Sequence, residues 1–265
     1  MNEYEKFINQ CEGEVKRQRE SIGFRGLTGK WMDESLSYNY SYHFSWMGRP
    51  IIQYPQDMIA MQELIWKIKP DLIIETGIAH GGSIIFSASM LAMLDMCDAI
   101  DQGKTLDPAS SNRRVIGIDI DIRQHNREAI EAHPMSSRIT MIQGSSVSDE
   151  VIAQVKSLAK GYTKVLVCLD SNHTHDHVLA ELQAYAPLVS VDSYCVVFDT
   201  IIEHMPENMF PDRPWHPGNS PKTAVDEFLR QQQENPTKPQ FNVDATIEHK
   251  LQITVAPGGF LQRTR

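Results

Sequence analysis

Four acidic residues, Glu75, Asp119, Asp170 and Asp199, each close a short apolar run, over residues 72–75, 115–119, 164–170 and 194–199. In a parallel sheet such carboxylates collect at one edge, where ligands sit and where acids accept bonds from hydroxyls or hold a cation. The first run leads into Thr76-Gly77-Ile78-Ala79-His80-Gly81-Gly82-Ser83, which reads as strand end, tight turn and helix start. Glycines let the backbone pass close to a guest, Ser83 can cap the helix, and the helix's free N–H groups suit a carboxylate. Glu75 suits a cationic or hydroxyl-rich guest, so a nucleotide-like ligand with both a carboxylate and an ammonium group would use the whole stretch. The alternative is a bare βα turn that merely needs glycine. Asp119 stands where such folds place an acid for ribose hydroxyls, with a turn acid or helix cap as its plainer role.

A second constellation is Asp170-Ser171-Asn172-His173-Thr174-His175-Asp176-His177, together with Asp199, Thr200 and Glu203. Hard divalent cations take several oxygen ligands, which acids at the ends of adjacent strands supply, while imidazole also suits borderline metals. Histidines at alternate positions of a helix start point in different directions, so no three-histidine face forms. His173 is the candidate base or ligand, and His175 and His177 are expected on a solvated face. Trp46 and Trp215 are candidates for stacking on a ring and equally for packing.

The elements that must position these residues alternate. Apolar spacing predicts a helix over 3–20, an irregular aromatic loop over 35–55 (a satellite core or a lid), and a helix over 55–69. Strands are expected at 72–75, 115–119, 139–142, 164–170 and 194–199. Helices are expected at 82–96, 123–132, 151–158, 178–185 and 223–233, with an exposed loop over 98–114 and a long active-site loop over 201–221. Residues 241–246 and 250–255 read as a closing strand pair. Alternating strands and helices imply right-handed βαβ units and an α/β fold with a mainly parallel sheet and an antiparallel edge. Residues 1–55 then form an N-terminal helix and aromatic loop serving as lid or oligomer contact, and residues 56–265 the ligand-binding domain.

With 265 residues the chain can bury a large core. A net charge of −9 argues against phosphate-backbone binding, so no nucleic-acid partner is expected. The four cysteines, Cys11, Cys97, Cys168 and Cys195, form no Cys-x-x-Cys pair, which favours reduced thiols. The charged start Met1-Asn2-Glu3-Tyr4-Glu5-Lys6 lacks a signal core, and no apolar run reads as a membrane span, so a cytoplasmic location is expected. The amphipathic first helix makes a homo-oligomer the expected state.

Residues 75–83, Gly117-Ile118-Asp119-Ile120-Asp121 and Leu169-Asp170-Ser171-Asn172-His173 resemble the cephalosporin hydroxylase family, from about Gln53 to Gly258-Gly259-Phe260-Leu261. That family has the Rossmann-like class I fold of S-adenosylmethionine-dependent methyltransferases, helices on both faces of the sheet, and acts on hydroxyls of sugars and natural products. The same positions resemble catechol-type O-methyltransferases, in which a divalent cation chelates the acceptor oxygen. The resemblance implies that Gly77, Gly81, Gly82 and Ser83 hold the methionine part of S-adenosylmethionine and that Glu75 shapes the turn. It further implies that Asp119 binds the ribose and that Gly144, Ser145 and Ser146 border the adenine. Asp170 and Asp199 match metal-binding acids for Mg or Mn, and Asp170 with His173 the catalytic pair. Relatives often carry Glu-Asp-Thr where this chain has Phe198-Asp199-Thr200, so one carboxylate is missing, and Thr200, Glu203 or His173 are its substitutes. The implied activity is metal-assisted O-methyl transfer to a sugar, polysaccharide precursor or natural product. A cofactor-binding assembly or regulatory protein is the alternative. A nicotinamide-dependent oxidoreductase is disfavoured, because residues 77–82 do not provide Gly-x-Gly-x-x-Gly.

Overall fold

The structure, a computed structural model, describes residues 1–235 and 237–265. The chain begins with α1 (Glu3–Glu20), closed at its start by a capping box between Asn2 and Glu5, and α2 (Ile22–Ser37), capped by Ser21. A 3-10 turn (Tyr40–His43) leads to the hairpin β1 (Phe44–Trp46) and β2 (Arg49–Ile51) and then to α3 (Pro55–Ile68). The alternating body follows as β3 (Leu72–Thr76), α4 (Gly82–Asp101), β4 (Arg114–Asp119), α5 (Gln124–Glu131), β5 (Ile139–Gln143), α6 (Asp149–Leu158), β6 (Val165–Leu169), α7 (His175–Tyr185) and β7 (Tyr194–Val197). It closes with α8 (Pro221–Glu234), β8 (Phe241–Val243), α9 (Ala245–Leu251) and β9 (Phe260–Arg263).

The main sheet has seven strands in the order β5-β4-β3-β6-β7-β9-β8. β3 pairs in parallel with both β4 and β6, whereas β9 runs antiparallel between β7 and β8. Every residue of β3 and β6 is buried, as expected of strands covered on both faces. Successive residues serve opposite cores. Ile73, Leu166 and Val196 pack with α3 and α4 on one face, and Ile74, Val167 and Val197 with α6, α7 and α8 on the other. The expected α/β sheet with an antiparallel strand near the C-terminus is therefore what forms. One described helix, α4, has the length and apolarity to cross a membrane, yet half of it is buried inside the protein, where its apolar side packs in the core.

One helix is added to the sequence expectations and three of them are corrected. Residues 22–37 form a helix that the weak apolar periodicity of that stretch hides. The aromatic loop contains a hairpin, turned at Met47 and Gly48 with φ of 45° and 84°, the positive pair that a right-twisted two-residue turn requires. Its aromatics are mostly core. Trp31, Phe44 and Tyr54 ring Tyr40, and Trp46 packs on Phe86 while its Nε1 donates to Ser89. The segment 250–255 is not a strand. Asp244 caps α9 by accepting from Thr246, and the closing strand begins only at Phe260, beyond the Pro257-Gly258-Gly259 break. The expected loop at 98–114 starts later because α4 runs to Asp101, and it returns through Arg113, which donates to Asp95 and Asp98.

Asp57 ties α3 to the segment before β9. It is fully buried, its carboxylate accepts from Thr254 Oγ1 and from Val255 N at 3.0 Å, and burial pushes its acid up to about 7. An acid whose folded pKa lies above its unfolded value near 3.8 keeps its proton longer in the folded state. Its contribution is complete below pH 4 and is lost as pH rises through 7, for a total of about 4 kcal/mol. In cation-free buffer the unfolding midpoint is expected to fall from pH 5 to pH 8, and Asp57→Asn is expected to flatten that slope. An Asp57→Asn slope equal to the wild type in chemical denaturation would remove Asp57 as the titrating group.

Candidate active site

The order of the sheet reverses beside β3, with β4 on one side and β6 on the other, which is where open α/β sheets bind ligands. At this point Gly77 leaves β3 with φ 91°, and a Cβ there would lie 2.0 Å from the carbonyl oxygen of Asp170. Only glycine fits. The Gly77 N–H donates to Ile118 O at 2.8 Å and the Asp170 N–H to Thr76 O at 3.0 Å, so pairing continues one residue past each strand.

The turn is braced from β4. Asp119 Oδ2 accepts from Ile78 N at 2.8 Å and Ala79 N at 3.1 Å, and Oδ1 from Asp121 N at 3.0 Å. These bonds hold Ala79 in the left-handed region at φ 45°, a strained conformation of the kind that collects at functional sites. Arg49, a residue of the expected aromatic loop to which no role was assigned from sequence, clamps the other side. Its Nε and Nη2 donate to His80 O at 2.9 and 2.7 Å, and Nη2 also to Asn126 Oδ1 at 2.8 Å.

Ser83 does not cap α4. The cap position is Gly81, and Ser83, already inside the helix, donates to Glu75. The reason is local: the left-handed Gly81 (φ 85°) starts the helix two residues earlier than the serine. Glu75 is buried at 4% exposure and burial pushes its carboxyl up to about 7, with the Ser83 bond opposing.

At the ends of β6 and β7, Asp170, His173 and Asp199 present ligand atoms all within 4.8 Å of one another, each half-buried. His173 Nε2 lies 3.2 Å from Asp199 Oδ2, and the Trp215 ring stands edge-on to His173 at 6.0 Å. Burial and then the neighbouring Asp199, Glu75, Glu181 and Asp57 push the Asp170 carboxyl well above its ordinary value. Gln53, also missed in the sequence, donates through Nε2 to Asp170 Oδ2 at 3.1 Å.

The other site expectations divide. Thr200 and Glu203 are not in the acidic cluster. Thr200 is fully buried and donates to Pro257 O at 2.8 Å, and Glu203 Oε2 accepts from Gly218 N at 2.9 Å and Ser220 Oγ at 2.7 Å. Both lie on the 3-10 turn Thr200–His204, which turns their side chains toward later loops. His175 and His177 are half-buried rather than solvated. Nδ1 of His175 meets Thr223 Oγ1 at 2.9 Å, and His177 Nε2 lies 3.0 Å from Ser146 Oγ and 3.3 Å from Glu181. Ser146 is itself buried and donates to Glu181. Gly144 continues from β5 with its N–H on Asp119 O at 2.8 Å.

Two cavities meet over Gly77 and Asp170. One, of about 500 Å³, reaches from Ser83 and His80 to Tyr40, Asp199 and Trp215. The other, of about 460 Å³, reaches Asp119, Ser145 and Ser146. Gly77, Ala79, Asp170, His173, Arg213 and Trp215 line both. Volumes of this size suit small-molecule ligands. The residues fit the implied groups: two carboxylates and an imidazole form a donor set for a hard or borderline divalent cation, and a turn opened by Gly77 and Gly81 beside an acid-lined cavity suits a nucleoside carrying an amino acid.

Comparison with known proteins points the same way. The family described as Rhamnosyl O-methyltransferase/CmcI matches residues 38–264. The rhamnosyl O-methyltransferase of Mycobacterium tuberculosis (strain ATCC 25618 / H37Rv) is 28% identical over 238 residues, 88% of this chain and 82% of that protein. That of Mycobacterium leprae (strain TN) is 26% identical over 235 residues, covering 88% of each chain. A solved structure of CmcI with Mg and SAM superposes with a TM-score of 0.54 at 16% identity, over 84% of this chain and 78% of the other, and shares its fold. The apo form of CmcI gives 0.53 at the same 16% identity, over 84% of this chain and 77% of the other. With residues 38–264 matched by its model, the chain belongs to the rhamnosyl O-methyltransferase/CmcI family.

Proposed function

We propose that this protein transfers the methyl group of S-adenosylmethionine to a hydroxyl of a sugar, rhamnosyl units included, or of a related natural product, with assistance from Mg or Mn. The observation that carries the reading is the junction of the two cavities, where the open turn at Gly77 meets the cluster of Asp170, His173 and Asp199. Family membership and the relatives named for rhamnosyl O-methylation support the acceptor class.

In this reading the cavity that reaches Asp119, Ser145 and Ser146 takes the adenosine. Asp119 spends Oδ2 on the turn and takes the Asp121 N–H at Oδ1, so its share in ribose binding falls to the remaining lone pair of Oδ1 and to the shape it imposes on Ile78 and Ala79. Gly77, Gly81 and Gly82 make room for the methionine end, and Ser83 with Glu75 closes its floor. When bound, the cofactor supplies an electrophilic methyl group and a divalent cation a Lewis acid that lowers the acceptor's proton affinity. Asp170 and Asp199 hold that cation. His173, whose Nε2 is held by Asp199 and whose ring meets the Trp215 edge, takes the proton of the acceptor hydroxyl at its other ring nitrogen, Nδ1. Holding acceptor and donor in line is a proximity task that the two meeting cavities serve. The free thiols of Cys11, Cys97, Cys168 and Cys195 support a cytoplasmic setting, and the exposed apolar residues Phe7, Phe24 and Leu27 on α1 and α2 support self-association.

Calorimetric titration with S-adenosylmethionine is expected to give saturable heat that S-adenosylhomocysteine abolishes by competition. Absence of both would overturn the reading. Gly77→Ala is expected to weaken cofactor binding at least tenfold and to lower the unfolding midpoint, because the methyl group collides with Asp170 O. Asp170→Ala is expected to abolish methyl transfer to rhamnosyl acceptors while changing cofactor affinity less than threefold. Unchanged turnover in Asp170→Ala would remove the metal-assisted mechanism.

A further inference from the structure

Among the described residues Asp170 and Asp199 are the carboxylates of the cluster, and Phe198, next to Asp199 in the chain, offers no ligand atom. Gln53, between β2 and α3, shares a small cavity with Phe198, Asp170, Asp57 and Glu75. It is only 7% exposed, and its Oε1 is buried with no hydrogen-bond partner among the described residues. A buried amide oxygen without a hydrogen-bond partner has its lone pairs free for another ligand, a cation included.

We propose that the amide oxygen of Gln53 is a ligand of the divalent cation, beside Asp170 and Asp199; this rests on the cation site of the proposed function. The Gln53 Nε2 lies 3.1 Å from Asp170 Oδ2. A half-turn of the amide exchanges its nitrogen and oxygen without steric change. It brings Oε1 to the same distance from the carboxylate, a repulsive contact unless a cation lies between them. In an octahedral Mg shell with bonds of about 2.1 Å, adjacent oxygens stand about 3 Å apart. The amide therefore has two states. Without the cation its N–H holds Asp170, and with the cation its oxygen joins Asp170 in the shell.

A neutral ligand also suits the surroundings. Asp57, Glu75, Asp170 and Asp199 already crowd negative charge around the cavity, as their mutual effects on the Asp170 carboxyl show. A fifth acid would raise that repulsion in the free protein. With Gln53 in the shell, His173 is not needed as a ligand and stays available for the acceptor's proton.

The test is Mn(II) binding to the full chain, followed by electron paramagnetic resonance of the free ion, with bound water counted by ¹⁷O hyperfine spectroscopy. Gln53→Met is expected to raise the dissociation constant at least tenfold and to add one water to the bound ion. Gln53→Glu is expected to lower it at least tenfold with wild-type hydration. Wild-type affinity and hydration in Gln53→Met overturn the assignment. Should that variant fail to fold by circular dichroism, an unchanged or weaker affinity in Gln53→Glu overturns it alone. Asp170→Ala separates the two levels. If it loses Mn(II) while both Gln53 variants behave as wild type, only the Gln53 assignment fails. If the wild type binds no Mn(II), or Asp170→Ala binds it equally well, the cation site itself fails and Gln53 with it.

Discussion

The closest constraint in this protein is the contact between the carbonyl of Asp170 and the space where residue 77 would carry a Cβ. The rest of the site is assembled around it. Pairing runs one step beyond the strands at several places, from Asp170 N to Thr76 O, Gly77 N to Ile118 O, Gly144 N to Asp119 O and Phe198 N to Leu169 O. The ends of five parallel strands are thereby fixed relative to one another by main-chain bonds. Residues that follow those ends inherit a position set by the sheet register, not by side-chain choice. A methyl group at residue 77 would push apart β3 and β6, the two strands between which the ligand crevice opens.

Two acidic clusters of this protein show opposite chemistry. Asp95 faces Arg113 and Arg138, and bonds from Ser111, Arg113 and Arg138 hold its carboxyl below the usual carboxylate range despite burial. That cluster is satisfied and ties α4 to the segments before β4 and β5. Around the crevice, burial lifts Asp57, Glu75 and Asp170, and among the described residues no Lys or Arg pairs with any of them. A protein that leaves acids uncompensated in one crevice gives up stability there, which a bound cation or proton restores.

The sequence made the central strands, their acid-terminated ends and the glycine turn legible, because all depend on short-range patterns: apolar runs of four to six residues and a residue type that alone permits positive φ. Asp119 was legible as a functional acid, yet its grip on Ile78 and Ala79 was not, since that bond spans two strands whose order no local pattern encodes. Gln53 and Arg49 were illegible for the same reason. Gln53 meets Asp170 across 117 positions of chain, and Arg49 reaches His80 across 31. The strand misplaced at 250–255 shows a different limit. Ile253, Thr254 and Val255 carry strand-forming side chains, but the main chain there serves Asp57, whose carboxylate takes the Val255 N–H that a strand partner would need.

Glu203 fastens a loop where a metal ligand was expected. As a metal ligand it would have joined the shell; instead it accepts from Gly218 and Ser220 and fastens the far end of the long loop. Asn219 completes the fastening by accepting from His175 N at 2.9 Å, at the first turn of α7. The loop is thus pinned beside His173, with Phe210 and Trp215 stacked edge-on at 5.4 Å over the cavity and Arg213 exposed at its mouth. The stretch from 205 to 215 lies between these anchors, free of the sheet. In the proposed function the cation-holding residues stand at the strand ends, whereas Phe210, Arg213 and Trp215 line the cavity from a loop. An acid at 203 that left the loop for a cation would unfasten that surface, which is why the two roles cannot be held by one side chain.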